Sequence, residues 1–257
     1  MLELNKIYQC DCLEGMKLIG DKSIDMILCD LPYGTTKCKW DIMIPFDLLW
    51  EQYKRIIKNN GAIVLTATQP FTSILILSNI NWYKHSWVWD KVKPNGHLVV
   101  KFRPMQRTED IVVFCKNSPK YNPQMTQRDV PKRSKEYGRT SIMGGEQTDF
   151  DGKILNEKYP QNVIVISNAS QVGKVHPTQK PVPLFEYLIK TYTNEGDLVL
   201  DNCAGSFTTF VACDNLRRKS ICMEKEQKYC EIGLDRVNEN RVFLDLDQLT
   251  TSDIITI

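Results

Sequence analysis

The sequence predicts an α/β protein built on a doubly wound sheet, and three observations predict it. Strand-like apolar runs alternate with amphipathic helical stretches in the first third of the chain and again in the last third. Two of those strands break off into short turns, Asp30-Leu31-Pro32-Tyr33 and Asp201-Asn202-Cys203-Ala204-Gly205-Ser206. A chain of 257 residues, 42% hydrophobic and 25% charged, suffices for one buried core with an insertion.

The elements follow in order. Lys6 to Gln9 reads as a short strand. Asp11 is placed as a helix N-cap, and Glu14 three residues on resembles a capping box ahead of Leu13, Met16 and Leu18. Ser23 to Cys29 is an apolar strand ending at the first turn. Phe46, Leu49, Trp50, Tyr53, Ile56 and Ile57 fall on one helical face, with Asn59-Asn60-Gly61 as its stop. Ala62 to Thr68 is the next strand, and Pro70 opens a helix reaching about Ser78. Later, Pro181 to Thr193 predicts a helix with Leu184, Leu188 and Tyr192 on one face. Asp197 to Leu200 is a strand, and the second turn leads into a helix through about Leu216. Lys219 to Met223 is a strand ending at Glu224, and a last helix runs from about Gln227 to Asn238.

The middle differs. From Lys116 to Lys174 the periodicity fails, while Lys116 to Arg139 holds seven basic residues against two acidic ones. Such a stretch in a chain of net charge +2 is a candidate contact for polyanions, although charge alone favours a solvated loop. The expected organisation is a first half at 1–115, an insertion at 116–174 and a second half of the same domain at 175–257. Nine cysteines without metal or disulfide spacing, and only three histidines, suggest reduced thiols and no metal centre. No apolar run reaches the roughly 18 residues of a membrane span, and the N-terminus lacks the order of a signal peptide. The expected location is therefore cytoplasmic, with no membrane partner.

Ligands of doubly wound sheets bind beyond the carboxyl ends of strands, where the winding reverses. The small residues Ala204, Gly205 and Ser206 let a ligand approach a helix N-terminus, and Glu224 follows about twenty residues later, where an acid can hold ribose hydroxyls. Turn plus acid suggests a nucleoside cofactor without separating a nicotinamide dinucleotide from S-adenosylmethionine. Asp30 to Tyr33 separates them. An acid, a stiff turn and an aromatic ring make a pocket for a planar group bearing an amine: Asp30 accepts from the amine, and Tyr33 stacks on the ring. Trp40, Trp87 and Trp89 offer further stacking faces, although tryptophans near strands are more often core.

These motifs, in this order, resemble the permuted β-group amino-methyltransferases of restriction-modification systems and phages. The tetrapeptide Asp30-Leu31-Pro32-Tyr33 corresponds to that family's Asp-Pro-Pro-Tyr. His176-Pro177-Thr178-Gln179-Lys180-Pro181 corresponds to its box before the cofactor half, and Asp201 to Thr209 to its Asp-Pro-Phe-x-Gly-Ser-Gly-Thr-Thr. The resemblance implies a Rossmann-like sheet of circularly permuted motif order, S-adenosylmethionine as cofactor, and double-stranded DNA as partner. It makes Asp30, Pro32 and Tyr33 catalytic. Asp11, Asp30, Leu31, Lys180, Asp201, Ala204, Gly205, Ser206, Thr208 and Glu224 become the cofactor set, with Glu224 on the ribose and Asp11 beside the adenine. His176 is read as structural. The target base must be flipped from the duplex, so the basic insertion becomes a target-recognition region with Lys132, Arg133, Lys135 and Arg139 as DNA contacts. A homodimer and a cognate restriction endonuclease are partners the resemblance admits.

Leu31, Asn202-Cys203 and Phe207 depart from the family pattern. Phe207 replaces the last glycine of the turn and either crowds the pocket or points into the core. An acid opening the tetrapeptide is typical of members that modify adenine at N6, while Ser is typical of those that modify cytosine at N4, so adenine is the expected base and cytosine the alternative. An RNA or protein-glutamine methyltransferase would carry Asn at position 30 and the reverse motif order. A nicotinamide oxidoreductase leaves Asp30 to Tyr33 unexplained. A DNA-binding relative without catalysis would have Phe207 in the pocket.

Overall fold

The computed structural model describes residues 2–34, 41–133, 154–168 and 179–257; of Arg133 only the backbone is described. Trp40, Lys135, Arg139 and the histidine of the box, His176, lie outside the described residues.

Within these, β1 (Lys6–Gln9), α1 (Cys12–Lys17), β2 (Ile24–Cys29), α2 (Phe46–Ile56), β3 (Ile57–Ala67), α3 (Phe71–Ser78), β4 (Tyr83–Asn95) and β5 (Gln106–Phe114) form the first part. There follow β6 (Thr126–Arg133), β7 (Ile154–Lys158) and β8 (Val163–Val165). The last part holds α4 (Val182–Tyr192), β9 (Leu198–Asp201), α5 (Thr208–Asn215), β10 (Lys219–Glu224), α6 (Gln227–Phe243) and β11 (Ile254–Thr256). The chain divides into two compact units, Met1–Asn122 with Asn162–Ile257, and Pro123–Gln161.

The larger unit is a nine-stranded sheet in the order β11-β1-β10-β9-β2-β3-β5-β4-β8. Every neighbouring pair is parallel except β3 with β5 and β5 with β4, so β5 alone runs against the rest. The alternation of side chains along each strand feeds two faces. Ile27, Cys29, Ile63 and Leu65 pack with Met16 of α1, Leu49, Trp50 and Tyr53 of α2 and Phe71 of α3. Met26, Leu28, Ala62 and Val64 pack against Leu184, Leu188 and Tyr192 of α4 on the other face, where Phe210 of α5 and Leu234 of α6 build a third cluster. Helices on both faces of a mostly parallel sheet are the doubly wound, Rossmann-like architecture the alternation predicts. The eight described cysteines are free thiols, six of them buried.

The smaller unit is a two-stranded antiparallel ribbon in which β6 pairs with β7, Lys132 opposite Leu155 and Arg133 opposite Ile154. Its strands are exposed, so no alternation of burial marks them in the sequence.

Several elements differ from expectation. Asp11 does cap α1, accepting from the Leu13 amide at 3.0 Å, but Glu14 pairs with Lys17 instead of closing a capping box. Asn59-Asn60-Gly61 does not end α2; it lies inside β3, where a β-carbon on Gly61 would come within 2.8 Å of the Asp25 carbonyl oxygen. Glycine is there for a close approach of two strands. Trp87 and Trp89 are core residues, each under 4% exposed. The segment from 116 to 174 is not wholly irregular, since it supplies the ribbon and also β8, which extends the main sheet beside β4.

Candidate functional site

Chain direction through the sheet creates the site. From β2 the chain passes through α2 to β3 on one side, and from β9 it passes through α5 to β10 on the other. β2 and β9 are neighbours, Met26 opposite Val199 and Ile27 opposite Leu200, so the winding reverses between them. Asp30 and Asp201 therefore emerge side by side at the carboxyl edge, where such sheets leave a crevice. A cleft of about 500 Å³ opens there, lined by both turns.

On the β2 side, Pro32 donates no backbone hydrogen bond and the chain leaves the ladder. The Tyr33 hydroxyl donates to Asp30 Oδ1 at 2.7 Å, and Thr66 on β3 donates to the same oxygen. Lys180 donates to Asp30 Oδ2 at 2.5 Å. The Tyr33 ring packs on Phe71 with centroids 4.8 Å apart, and burial followed by the Asp30 charge pushes its hydroxyl pKa well up. Beyond it, the Gly34 amide donates to Asp41 at 2.8 Å and fixes the end of the turn. Leu31 is 4% exposed and packs in the core, and it also lines the cleft.

Lys180 is buried, which works against its charge, yet Asp30 and Glu109 outweigh burial and hold its pKa above the ordinary value. Its ammonium lies 3.6 Å from Glu109 Oε2, while Lys91 donates to Glu109 Oε1 at 3.1 Å. The chain Lys91–Glu109–Lys180–Asp30 alternates in sign and has no net charge, the arrangement that makes burying the two lysines beside half-buried acids tolerable. Glu109 Oε2 finds no hydrogen-bond donor among the described residues.

On the β9 side, Asp201 sits beneath its turn, buried, accepting from the Cys203 amide at 3.1 Å and from Thr209. Burial raises its pKa to about 7. The Ala204 amide bonds the Met223 carbonyl at 2.8 Å, tying the turn to β10. Gly205 takes a left-handed conformation, φ 51°, and a β-carbon there would meet nothing within 4 Å, so its backbone faces open space. Glu224, at the end of β10, accepts from the Gly205 amide at 2.8 Å and the Glu226 amide at 2.9 Å. Burial raises its pKa against the lowering effect of those amides. Each carboxylate oxygen keeps a second lone pair. Ser206 and Thr208 are both nearly buried and are held by Arg236 of α6, which donates to the Ser206 carbonyl at 2.6 Å and the Thr208 hydroxyl at 2.9 Å. Burial lowers the Arg236 pKa to about 10. Asp11 lines the same cleft, its second oxygen 3.4 Å from Lys225.

Phe207 is fully buried among Phe210, Cys230, Leu234 and Val237 and does not line the cleft. Asn202 is buried too, accepting from Tyr53 at 2.6 Å. The structure thus gathers Asp11, Asp30, Pro32, Tyr33, Lys180, Ala204, Gly205, Ser206, Thr208 and Glu224 around one cleft, with Asp201 beneath it. Lys132 is exposed on the ribbon of the smaller unit. Lys91, Glu109, Asp41 and Arg236 are the functional-looking residues that sequence reasoning missed. Lys91 and Glu109 carried a signal, a charge placed where strand alternation puts the side chain inward. Arg236 carried none.

Residues 24–235 match the model of a family described as DNA methylase, the N6/N4 group. The type II methyltransferase M.HpaI of Haemophilus parainfluenzae is 28% identical over 244 residues, which cover 89% of this chain and 72% of that protein. The DNA adenine methyltransferase YhdJ of Escherichia coli is 27% identical, with coverage of 92% and 83%. Among solved structures, that of the M1.HpyAVI–SAM complex superposes with a TM-score of 0.63 at 26% identity, covering 91% of this chain and 98% of the other.

Proposed function

The chain belongs to the N6/N4 DNA methylase family, and from that premise we propose that it transfers a methyl group from S-adenosylmethionine to the exocyclic N6 of adenine in duplex DNA, after flipping the base out of the helix. One observation carries the reading: an anchored acid, Asp30, and a backbone-bound acid, Glu224, face one cleft from the two sides of the switch point.

The residues fit the cofactor. Glu224 keeps acceptor capacity for two ribose hydroxyls, and the open backbone at Gly205 admits a close ligand. Asp11 stands where an adenine edge would be read, and Ser206 and Thr208, pinned by Arg236, shape the methionine end. When bound, S-adenosylmethionine supplies an electrophilic methyl carbon on a sulfonium.

Asp30 does the orienting. With Oδ1 held by Tyr33 and Thr66 and Oδ2 by Lys180, its plane is fixed, and its remaining lone pair accepts one hydrogen of the target amine. That aims the nitrogen lone pair at the methyl carbon, a gain from orientation and preorganised polarity. Tyr33 and Pro32 line the slot for the base, and the basic ribbon unit with Lys132 and Arg133 serves target recognition along the phosphates.

Adenine is preferred to cytosine because an acid opens the tetrapeptide. Expression in a host without DNA methylation, with modified positions mapped by long-read sequencing and nucleosides identified by mass spectrometry, tests it. N6-methyladenine at one sequence context is expected. N4-methylcytosine alone would overturn the base, and unmodified DNA the function.

A further inference from the structure

β4 and β5 form a hairpin that outruns the sheet. Asp30 follows Cys29, whose partner is Leu65, so it lies level with Thr66, and Thr66 pairs with Ile111 of β5. The hairpin continues from Ile111 to Gln106, paired with Asn95, about 17 Å further past the site edge. Lys91 and Asn95 line the cleft, so the hairpin rises from its rim.

Its tip carries what folded surfaces usually hide. Leu98 is 99% exposed and Phe102 88%, with Val100 half in solvent. From Lys91 through Arg107 the chain carries five lysines and arginines and no acidic residue. Lys91 and Arg107 pair with Glu109 and Asp90, whereas Lys93, Lys101 and Arg103 make no ion pair among the described residues. Val92 is held at φ 65° with its amide on Asp90 Oδ1 at 2.8 Å, where the pairing of the strands shifts. A strained residue at a bulge re-aims the tip.

We propose that this tip enters the DNA duplex at the target site, Phe102 or Leu98 filling the space the flipped base leaves, while Lys93, Lys101 and Arg103 hold the flanking phosphates. The proposal rests on the methyltransferase reading above and extends it to a part of the substrate the cleft does not touch. Apolar side chains set among basic ones at the rim of a base pocket match this use: the wedge replaces lost stacking, and cations offset phosphate charge.

The test compares two duplexes carrying the mapped target, one fully paired and one with an abasic residue opposite the target base. For L98A/F102A, kcat/KM should fall at least about tenfold on the paired duplex and stay within about threefold of wild type on the abasic one, where the base is already unpaired. Calorimetry should give unchanged S-adenosylmethionine binding, and K93Q/K101Q/R103Q should flatten the salt dependence of DNA binding. Equal loss on both duplexes, or no loss, would overturn the wedge. So would loss of a wild-type dimer in sedimentation with equal loss on both substrates, which would make the tip a contact between copies. A wild-type protein that methylates neither duplex would instead defeat the function itself.

Discussion

Replacing Phe207 by the glycine its family carries should destabilise the protein and leave cofactor binding alone. Phe207 is the residue before α5, at φ 58° and ψ 35°, with its side chain fully buried. A left-handed conformation costs a residue with a β-carbon about 1–2 kcal/mol. Emptying a buried phenylalanine site costs about 3–5 kcal/mol. The burial term wins, so Phe207→Gly should lose roughly 2–3 kcal/mol net. In urea this should lower the midpoint by about 1 M with the slope unchanged. Gly233 of α6 identifies the partner: a β-carbon there would come within 2.0 Å of the Phe207 ring edge. Gly233→Ala should therefore be damaging in the wild type, by about 1–3 kcal/mol of overpacking, and much less so beside Phe207→Gly. Calorimetry with S-adenosylmethionine should give dissociation constants within about threefold. If Phe207→Gly is as stable as wild type and binds the cofactor tenfold tighter, the phenylalanine obstructs the pocket and this account of the turn is wrong.

Four further outcomes are expected. Asp30→Ala should lower the methyl-transfer rate on the order of a hundredfold or more while leaving the fold intact; in a tritiated-methyl assay, activity within tenfold of wild type would remove Asp30 from its role. Glu224→Ala should weaken S-adenosylmethionine binding by about tenfold to a hundredfold, as loss of a charged acceptor worth roughly 1.5–3 kcal/mol implies, and an unchanged constant by calorimetry would displace the ribose from Glu224. Asp201 has a folded pKa raised from 3.8 to about 7, so the folded chain holds the proton where the unfolded one has released it. Its contribution to stability therefore declines as pH rises through that window, and Asp201→Asn should flatten the fall in urea midpoint between about pH 4 and 7; parallel curves would refute the assignment. Neutralising Lys132, Arg133 and Lys135 together should flatten the salt dependence of DNA binding by up to about one unit of slope per lost phosphate contact, and an unchanged slope would make them a solvated surface.

Much of this was legible because motif and strand end coincide. Asp30 and Glu224 each close a strand whose apolar run is plain in the sequence, so the ends of β2 and β10 were readable. Their meeting needed only the rule that ligands sit where the winding reverses. β4 and β5 were missed for a physical reason: β4 is half exposed and interrupted by lysines and Pro94, so only its tryptophans, expected to be core and found there, stood out. With those strands went Lys91 and Glu109, and with the hairpin went Phe102. The ribbon could not be read either, since strands exposed on both faces leave no alternation. Asp11 and Gly61 show local chemistry read correctly in kind and wrongly in use: a cap without its box, a glycine for contact instead of a stop.

The lysine on Asp30 looks at first like a handicap, since it offsets the charge expected to favour a cationic transition state. Direction decides the matter. In the half-buried cleft two unit charges 4 Å apart interact by about 4 kcal/mol, so a loosely held carboxylate beside a sulfonium would be drawn toward it and away from the amine. Three donors on Asp30, from Tyr33, Thr66 and Lys180, oppose that displacement. Lys180 is in turn held by Glu109, and Glu109 by Lys91 on the next strand, so the acid is braced across β2, β3, β5 and β4. Methyl transfer to an amine requires no proton removed beforehand and no covalent intermediate, only a lone pair aimed at carbon. A braced acceptor of reduced net charge serves that need better than a free one of full charge. The same logic holds across the cleft, where Arg236 fixes Ser206 and Thr208 and the Gly205 amide fixes Glu224: each side keeps its polar groups in place before a substrate arrives.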